Sequence, residues 1–280
     1  MPNRVINTSK IVIKPKKSLG QNFLIDENIS RKIVESLNLT KDDVVVEIGP
    51  GQGALTKYIV ENVKKIYAVE IDKRAAEDLL SNISSTKLKI INQDILEFDL
   101  SALDTGSKKL KIVGNIPYHL TSPILFKAIE YHKIISNVTM MIQKEVADRL
   151  TAKPHSKAYG ILSVLTQFYG GPKSLFKVSP NCFFPKPKVT STVVRIDFHH
   201  KLPFENVDEK LFRTVVRTTF GKRRKTLRNC LKYLPFDETI VKNIMKEINF
   251  PLHKRPEELS INEFVILTDK IDEIIKCQIV

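Results

Sequence analysis

Between residues 41 and 143, short runs of β-branched residues alternate with stretches whose apolar positions recur at helical spacing. Residues 44–48 are apolar except for Glu47 and predict a buried strand, and 54–62 predict a helix. Residues 66–70 and 74–82 repeat the pair, and 88–92 and 110–113 predict two further strands. Ser122-Pro123 predicts a helix start, a capping side chain followed by a residue that needs no N–H in the first turn. Residues 138–142 return to strand. Upstream, Asp26 precedes Ile29, Ile33, Val34 and Leu37, the apolar stripe of one more helix.

Strand–helix alternation at this spacing implies a parallel sheet with helices on both faces. The fold class expected is therefore α/β and Rossmann-like. After the proline-rich stretch 179–188 comes one more strand, 189–196, and beyond about residue 201 the strand signals stop. Residues 211–219, 225–234, 240–248 and 261–275 all predict helices. The expected organisation is a catalytic domain over 1–200, with a basic tail at 1–18, and a small all-helical domain over 201–280.

Composition adds charge to this picture. The 280 residues carry 45 Lys and Arg against 31 Asp and Glu, a net +14, and the excess is clustered. Eight basic residues and no acid fall between Arg213 and Lys232, among them Lys222, Arg223, Arg224, Lys225 and Arg228. The first twenty residues hold Arg4, Lys10, Lys14, Lys16 and Lys17, again without an acid. Single-sign patches attract polyanions, so a nucleic acid is the expected partner. The 222–225 cluster lies at the start of the helix expected over 225–234, where cations oppose the macrodipole, so helix stability does not account for it. No run approaches the ~18 apolar residues of a membrane span, and Ile11-Val12-Ile13 is too short for the apolar core of a signal peptide, so none is expected. The three cysteines, far apart and without C-x-x-C or His spacing, predict reduced thiols and neither a disulfide framework nor a metal site. A cytoplasmic protein is expected.

Two constellations carry chemistry. The first is Glu47-Ile48-Gly49-Pro50-Gly51-Gln52-Gly53, a glycine turn between strand and helix where a ligand can approach the backbone. Alone it is ambiguous, because Gly49-x-Gly51-x-x-Ala54 also satisfies the dinucleotide fingerprint. Glu70, at the end of the second strand, is placed to accept from both ribose hydroxyls, a device that nicotinamide enzymes and methyltransferases share. Glu47 favours the methyltransferase reading: a carboxylate is unhelpful beside a pyrophosphate and suits a cationic sulfonium, as in S-adenosyl-L-methionine. Asp94 is expected to bind the adenine amino group, with Ile71 and Ile95 on the ring faces.

The second constellation is Asn115-Ile116-Pro117-Tyr118 after the fourth strand. An adenine N6 is a poor nucleophile because its lone pair is delocalised into the ring. Acceptors from the Asn115 side chain and the Ile116 carbonyl would draw the amino group toward tetrahedral geometry, with Pro117 stiffening the turn and Tyr118 stacking on the base. Such positioning supplies up to ~7–11 kcal/mol and needs no strong general base, so His119 is read as structural. A base within a helix cannot enter such a pocket, so the substrate is single-stranded or flipped. Phe183, in Asn181-Cys182-Phe183-Phe184-Pro185, is a candidate for the opposite stacking face, although paired aromatics beside prolines are more often core.

On these residues the chain resembles the KsgA family of small-subunit ribosomal RNA adenine dimethyltransferases over nearly its whole length. The matching segments include Leu19-Gly20-Gln21-Asn22-Phe23-Leu24, the glycine loop, Val69-Glu70-Ile71-Asp72, Gln93-Asp94-Ile95 and Asn115 through Pro123. Gln143 through Ala147, the Phe183 loop, Lys222 through Asn229 and Arg255 through Ser260 complete them. The resemblance implies cofactor contacts at Asn22, Leu24, Gly49, Glu70, Asp94 and Asn115, with Gly51 in the same loop, and a base-stacking role for Phe183. It implies dimethylation of two adjacent adenosines in the 3′-terminal hairpin loop of small-subunit rRNA, within an assembling subunit and by a monomer. The alternatives are a large-subunit rRNA dimethyltransferase of the antibiotic-resistance type and a mainly non-catalytic assembly factor.

Overall fold

The structure, a computed structural model, describes residues 13–279 other than 107 and 205; Arg4 and Lys10 of the basic tail lie outside the described residues. By contact the chain divides into two compact units, the residues up to Lys144 with Lys173–Phe198, and Glu145–Pro172 with those from His199 on. The sequence places one boundary near 200. The contacts also assign Glu145–Pro172 to the helical unit, because its apolar side chains pack there.

In the first unit, strand β1 (Phe23–Leu24) leads into helix α1 (Glu27–Ser36), whose first turn is capped by Asp26 accepting from the amides of Asn28 and Ile29. Strands β2 (Val44–Ile48), β3 (Lys65–Val69), β4 (Leu88–Ile91), β5 (Leu110–Asn115) and β6 (Ile135–Gln143) follow, interleaved with α2 (Thr56–Ile59), α3 (Lys73–Asn82) and α4 (Thr121–Glu130). Adjacent members of this set run parallel. The sheet continues through β7 (Gly170–Val178) and β9 (Ser191–Phe198), and its order is β4-β3-β2-β5-β6-β9-β7. β9 lies antiparallel to β6, so the sheet is mixed where strand–helix alternation implied a parallel one. A separate two-stranded pair joins β1 to β8 (Phe183–Phe184).

All five residues of β2 are buried, as expected of a parallel strand covered on both faces. Ile33, Val34 and Leu37 join Val45, Ile66 and Val113 in one apolar cluster, so the stripe read from the sequence is the core face of α1. β2 has β3 on one side and β5 on the other. Strand order therefore reverses between β2 and β5, and ligands of open α/β sheets bind at the carboxyl ends of such a switch point.

Local differences have local causes. α2 is shorter than the helix expected at 54–62, because a series of turns occupies 51–55. α4 begins at Thr121, so Ser122 sits inside its first turn and does not cap it.

In the second unit, helices α5 (Lys144–Leu150) and α6 (Ile161–Tyr169) precede α7 (Glu209–Phe220), α8 (Leu227–Cys230), α9 (Glu238–Glu247) and α10 (Ile261–Ile279). Phe168 of α6 stacks on Phe212 of α7 with ring centroids 4.0 Å apart. The single helix expected over 225–234 is α8 followed by a 3-10 turn at Leu231–Tyr233. Among the described residues no helix is long and apolar enough to cross a membrane.

Candidate active site

At the carboxyl ends of β2, β3 and β5 the first unit encloses a cavity of about 260 Å³. Its floor is the glycine turn after β2. Gly49 and Gly51 adopt φ of +63° and +54°, a conformation that side chains disfavour, and a Cβ on Gly51 would lie 3.0 Å from the Phe23 ring. The glycines thus serve two ends, turning the chain and letting β1 close over it.

Glu70 is 5% exposed and faces this turn. The Gly51 amide donates to its Oε2 (3.1 Å) and the Asp72 amide to its Oε1 (2.9 Å). Burial raises its pKa above the ordinary carboxylate value, and these two amides only partly oppose the shift. A carboxylate has about four lone-pair positions, so acceptor capacity remains for hydroxyl donors. Asn92 donates to the Glu70 carbonyl at 2.7 Å, a bracing contact that nothing in the sequence signalled.

Glu47 lines the same cavity and is 2% exposed. Its Oε2 accepts from the Thr56 hydroxyl at 2.7 Å. Burial, with the neighbouring Glu70 charge, pushes its pKa up to about 7. The cavity therefore presents two buried acids, which suits a cationic ligand and disfavours a pyrophosphate.

Asn115, Ile116, Pro117 and Tyr118 line the same cavity, Asn115 following the β5 residue that pairs with Ile48. Asn115 Nδ2 donates to the carbonyl of Asn22 at 3.0 Å. Committing the amide nitrogen to a carbonyl leaves Oδ1 as the acceptor end. The Tyr118 hydroxyl shares a 2.7 Å hydrogen bond with Ser191, and burial pushes its pKa up. Asp94 and Ile95 also line the cavity. Asp94 Oδ1 accepts from the Leu96 amide (2.8 Å), while Ile71 stands 53% exposed at the rim.

Of the predicted cofactor and catalytic residues, Asn22, Leu24, Gly49, Gly51, Glu70, Ile71, Asp94, Ile95 and Asn115 through Tyr118 converge on this one cavity, and Phe183 does not. Phe183 is 3% exposed, paired with Leu24 in the β1–β8 ladder and packed in the core cluster. Strand alternation turns it inward and leaves Phe184, 38% exposed, facing out. The stacking face expected of Phe183 is thus not presented to the cavity.

A family model described as ribosomal RNA adenine dimethylase matches residues 12–269. The chain belongs to the ribosomal RNA adenine dimethylase family. It is 40% identical over 282 residues to the Ribosomal RNA small subunit methyltransferase A of Lachnoclostridium phytofermentans, covering 97% of this chain and 96% of that one. It is 43% identical over 262 residues to the protein of the same name from Flavobacterium johnsoniae, covering 93% and 97%. Among solved structures, a dimethyladenosine transferase from Plasmodium falciparum superposes with a TM-score of 0.75 at 23% identity, covering 89% of this chain and 97% of that one. The 23S rRNA methyltransferase ErmE gives 0.67 at 24% identity, covering 90% and 100%. Identities this low show a shared fold alone. The family's cofactor is S-adenosyl-L-methionine, and the buried acids around the cavity fit a sulfonium. The nicotinamide alternative falls away.

The basic segment lies in the second unit. Lys222 through Lys225 form a turn between α7 and α8, ahead of the helix and not in its first turn. Lys222, Arg224, Lys225 and Arg228 are exposed. Arg223 is a correction: its Nε bonds Glu257 (2.5 Å), and its Nη atoms donate to the carbonyls of Lys157 and Ser156. It holds the unit together and is not a free cation. Tyr233, not singled out by the sequence, is 52% exposed, with Lys222 Nζ 4.7 Å and Lys225 Nζ 5.7 Å from its ring centroid. Among the described residues no cluster of His, Cys, Asp and Glu is arranged to hold a metal.

Proposed function

We propose that this chain transfers methyl groups from S-adenosyl-L-methionine to the N6 of adenosines in small-subunit rRNA, giving N6,N6-dimethyladenosine. The relatives' names support that substrate. The finer reading is two adjacent adenosines in the 3′-terminal hairpin loop, modified within an assembling subunit by a cytoplasmic monomer. The observation that carries the proposal is the meeting of Glu70 and Asn115-Ile116-Pro117-Tyr118 around one cavity at the switch point of the sheet.

When bound, the cofactor supplies the electrophilic methyl. Glu70, its carboxylate fixed by the Gly51 and Asp72 amides, would accept from the ribose hydroxyls of the cofactor. Asp94 would accept from the adenine amino group of the cofactor, and Glu47 would offset its sulfonium charge. Asn115 Oδ1 and the Ile116 carbonyl accept from the two N6 hydrogens of the substrate base, which localises the nitrogen lone pair. Tyr118, held at its hydroxyl by Ser191, stacks on the base. No residue needs to act as a strong base, because N6 becomes acidic once alkylated. RNA docks through Lys222, Arg224, Lys225 and Arg228, and the half-exposed Tyr233 ring beside Lys222 and Lys225 offers a face for an unpaired base.

The test is incubation with methyl-labelled cofactor and under-methylated small subunits, followed by nucleoside mass spectrometry. Label in N6,N6-dimethyladenosine is expected. Subunit binding without transfer would leave an assembly role only.

A further inference from the structure

Asp72 is 2% exposed, yet four side-chain contacts converge on its carboxylate, two from neighbouring Arg74 and two from one distant segment. Arg74 donates from Nε to Oδ1 (3.1 Å) and from Nη2 to Oδ2 (2.7 Å). Lys16 Nζ reaches Oδ1 and Gln21 Nε2 reaches Oδ2, both at 3.2 Å, across 56 and 51 positions of sequence. These donors hold the carboxyl far below the usual carboxylate range.

Lys16 and Gln21 are the two ends of a compact strap. Its 3-10 turn at Lys17–Leu19 ends at Gly20 (φ +62°), and the Lys16 amide donates to Gln21 Oε1 at 2.8 Å. Ser18, Leu19, Gln21 and Asn22 line the cofactor cavity. The strap's last carbonyl, that of Asn22, is the one that accepts from Asn115. Asp72 also donates its own amide to Glu70 Oε1. One buried acid is therefore tied to Glu70 directly and to Asn115 through the strap.

We propose that Asp72 is a positioning residue whose carboxylate latches the strap from Lys16 to Asn22 across the cofactor cavity. It contacts no reacting atom; it sets the fraction of molecules in which the strap is closed. The proposal rests on the cavity being the cofactor site. Apparent affinity scales with the competent fraction, so a variant that cuts the closed fraction to about one-tenth raises Kd about tenfold.

Asp72 also caps α3 by accepting from the Arg74 amide, so Asp72→Asn alone would mix a latch effect with loss of a helix cap. The decisive variant is therefore made on the strap side. Lys16→Ala/Gln21→Ala leaves the cap intact, and calorimetry with S-adenosylhomocysteine and with S-adenosylmethionine reads binding without RNA. Expected are a Kd raised about tenfold, a melting temperature close to wild type, and faster hydrogen exchange at the amides of 16–22. In steady-state assays the loss falls on KM for the cofactor more than on kcat. Lys16→Arg with Gln21 intact retains affinity, and Arg74→Ala lowers the melting temperature with little change in affinity. Wild-type affinity in the double variant would overturn the latch and reduce Asp72 to a cap. Absence of cofactor binding in the wild type would instead remove the reading of the cavity itself.

Discussion

Asn115 and Asn22, 93 positions apart in the chain, are joined by a 3.0 Å hydrogen bond from the Asn115 side-chain nitrogen to the Asn22 carbonyl. The bond decides which end of the Asn115 amide is free to work. Its nitrogen is occupied, so the oxygen is the group left to accept from a substrate amino group. Asn115→Ala removes that acceptor. Because the contact strengthens as the N6 lone pair localises, the loss belongs to the transition state. A fall in turnover of at least about a hundredfold is expected, consistent with losing a positioned polar contact, with RNA affinity little changed. Single-turnover methylation at saturating cofactor checks it; a near wild-type rate removes Asn115 from the mechanism.

Glu70→Ala removes the ribose acceptor and also strips the Gly51 and Asp72 amides of their partner. A hydrogen bond to a charged group contributes roughly 1.5–3 kcal/mol, so cofactor Kd rises at least about tenfold and stability falls as well. Glu70→Gln keeps one carbonyl acceptor and can satisfy only part of this pattern, and its affinity lies between the two. Unchanged affinity by calorimetry in the alanine variant would exclude Glu70 from the site.

Glu47 gives the site a pH dependence of defined sign. Its folded pKa is raised to about 7 from an ordinary 4.5, so between those values the folded state holds a proton that the unfolded state has lost. Stability from this group is fully present below pH 4.5 and is lost as pH rises through 7, by up to a few kcal/mol. Melting curves of wild type and Glu47→Gln from pH 5 to 8 should diverge in that direction, the variant losing less. A sulfonium in the cavity favours the carboxylate. Affinity for S-adenosylmethionine relative to its uncharged thioether product therefore rises across the same range, and parallel pH profiles for the two ligands would refute the pairing.

For RNA, the structure changes which arginines matter. Arg224, Lys225 and Arg228 are exposed, whereas Arg223 is bound to Glu257 and two carbonyls. Gln at the first three positions is expected to flatten the log–log salt dependence of RNA affinity by about two to three units. Arg223→Gln instead lowers the melting temperature. Tyr233→Ala weakens RNA binding roughly five- to a hundredfold, the range of base stacking at ~1–3 kcal/mol, without altering the slope. Lys242, paired with Glu238 on an exposed face, is the silent control. An unchanged slope in the triple variant would place RNA docking elsewhere.

Much of the fold was legible because its signals are local. The apolar runs at 44–48, 66–70 and 110–113, the glycine turn and the Asp26 cap depend on residues within a few positions of one another, and each appears where the pattern puts it. Residues 144–178 gave no comparable signal. Ile161–Tyr169 is apolar on nearly every side, which blurs helical periodicity, and Gly170, Gly171 and Pro172 argue against a strand. The strand exists because it lies at the edge of the sheet, where a missing N–H is tolerated.

The sequence by itself determined the chemistry available: two acids flanking a glycine turn, an Asn-Ile-Pro-Tyr wall and a basic segment, each a short motif whose residue types carry their meaning wherever the chain places them. The tertiary structure decided which of those groups are free to act. Phe183 is turned into the core by its pairing with Leu24, Arg223 is occupied by Glu257, and Asp72 is buried under donors more than fifty positions away. Burial and partnership are set by contacts across the fold, and no local pattern of residues encodes them.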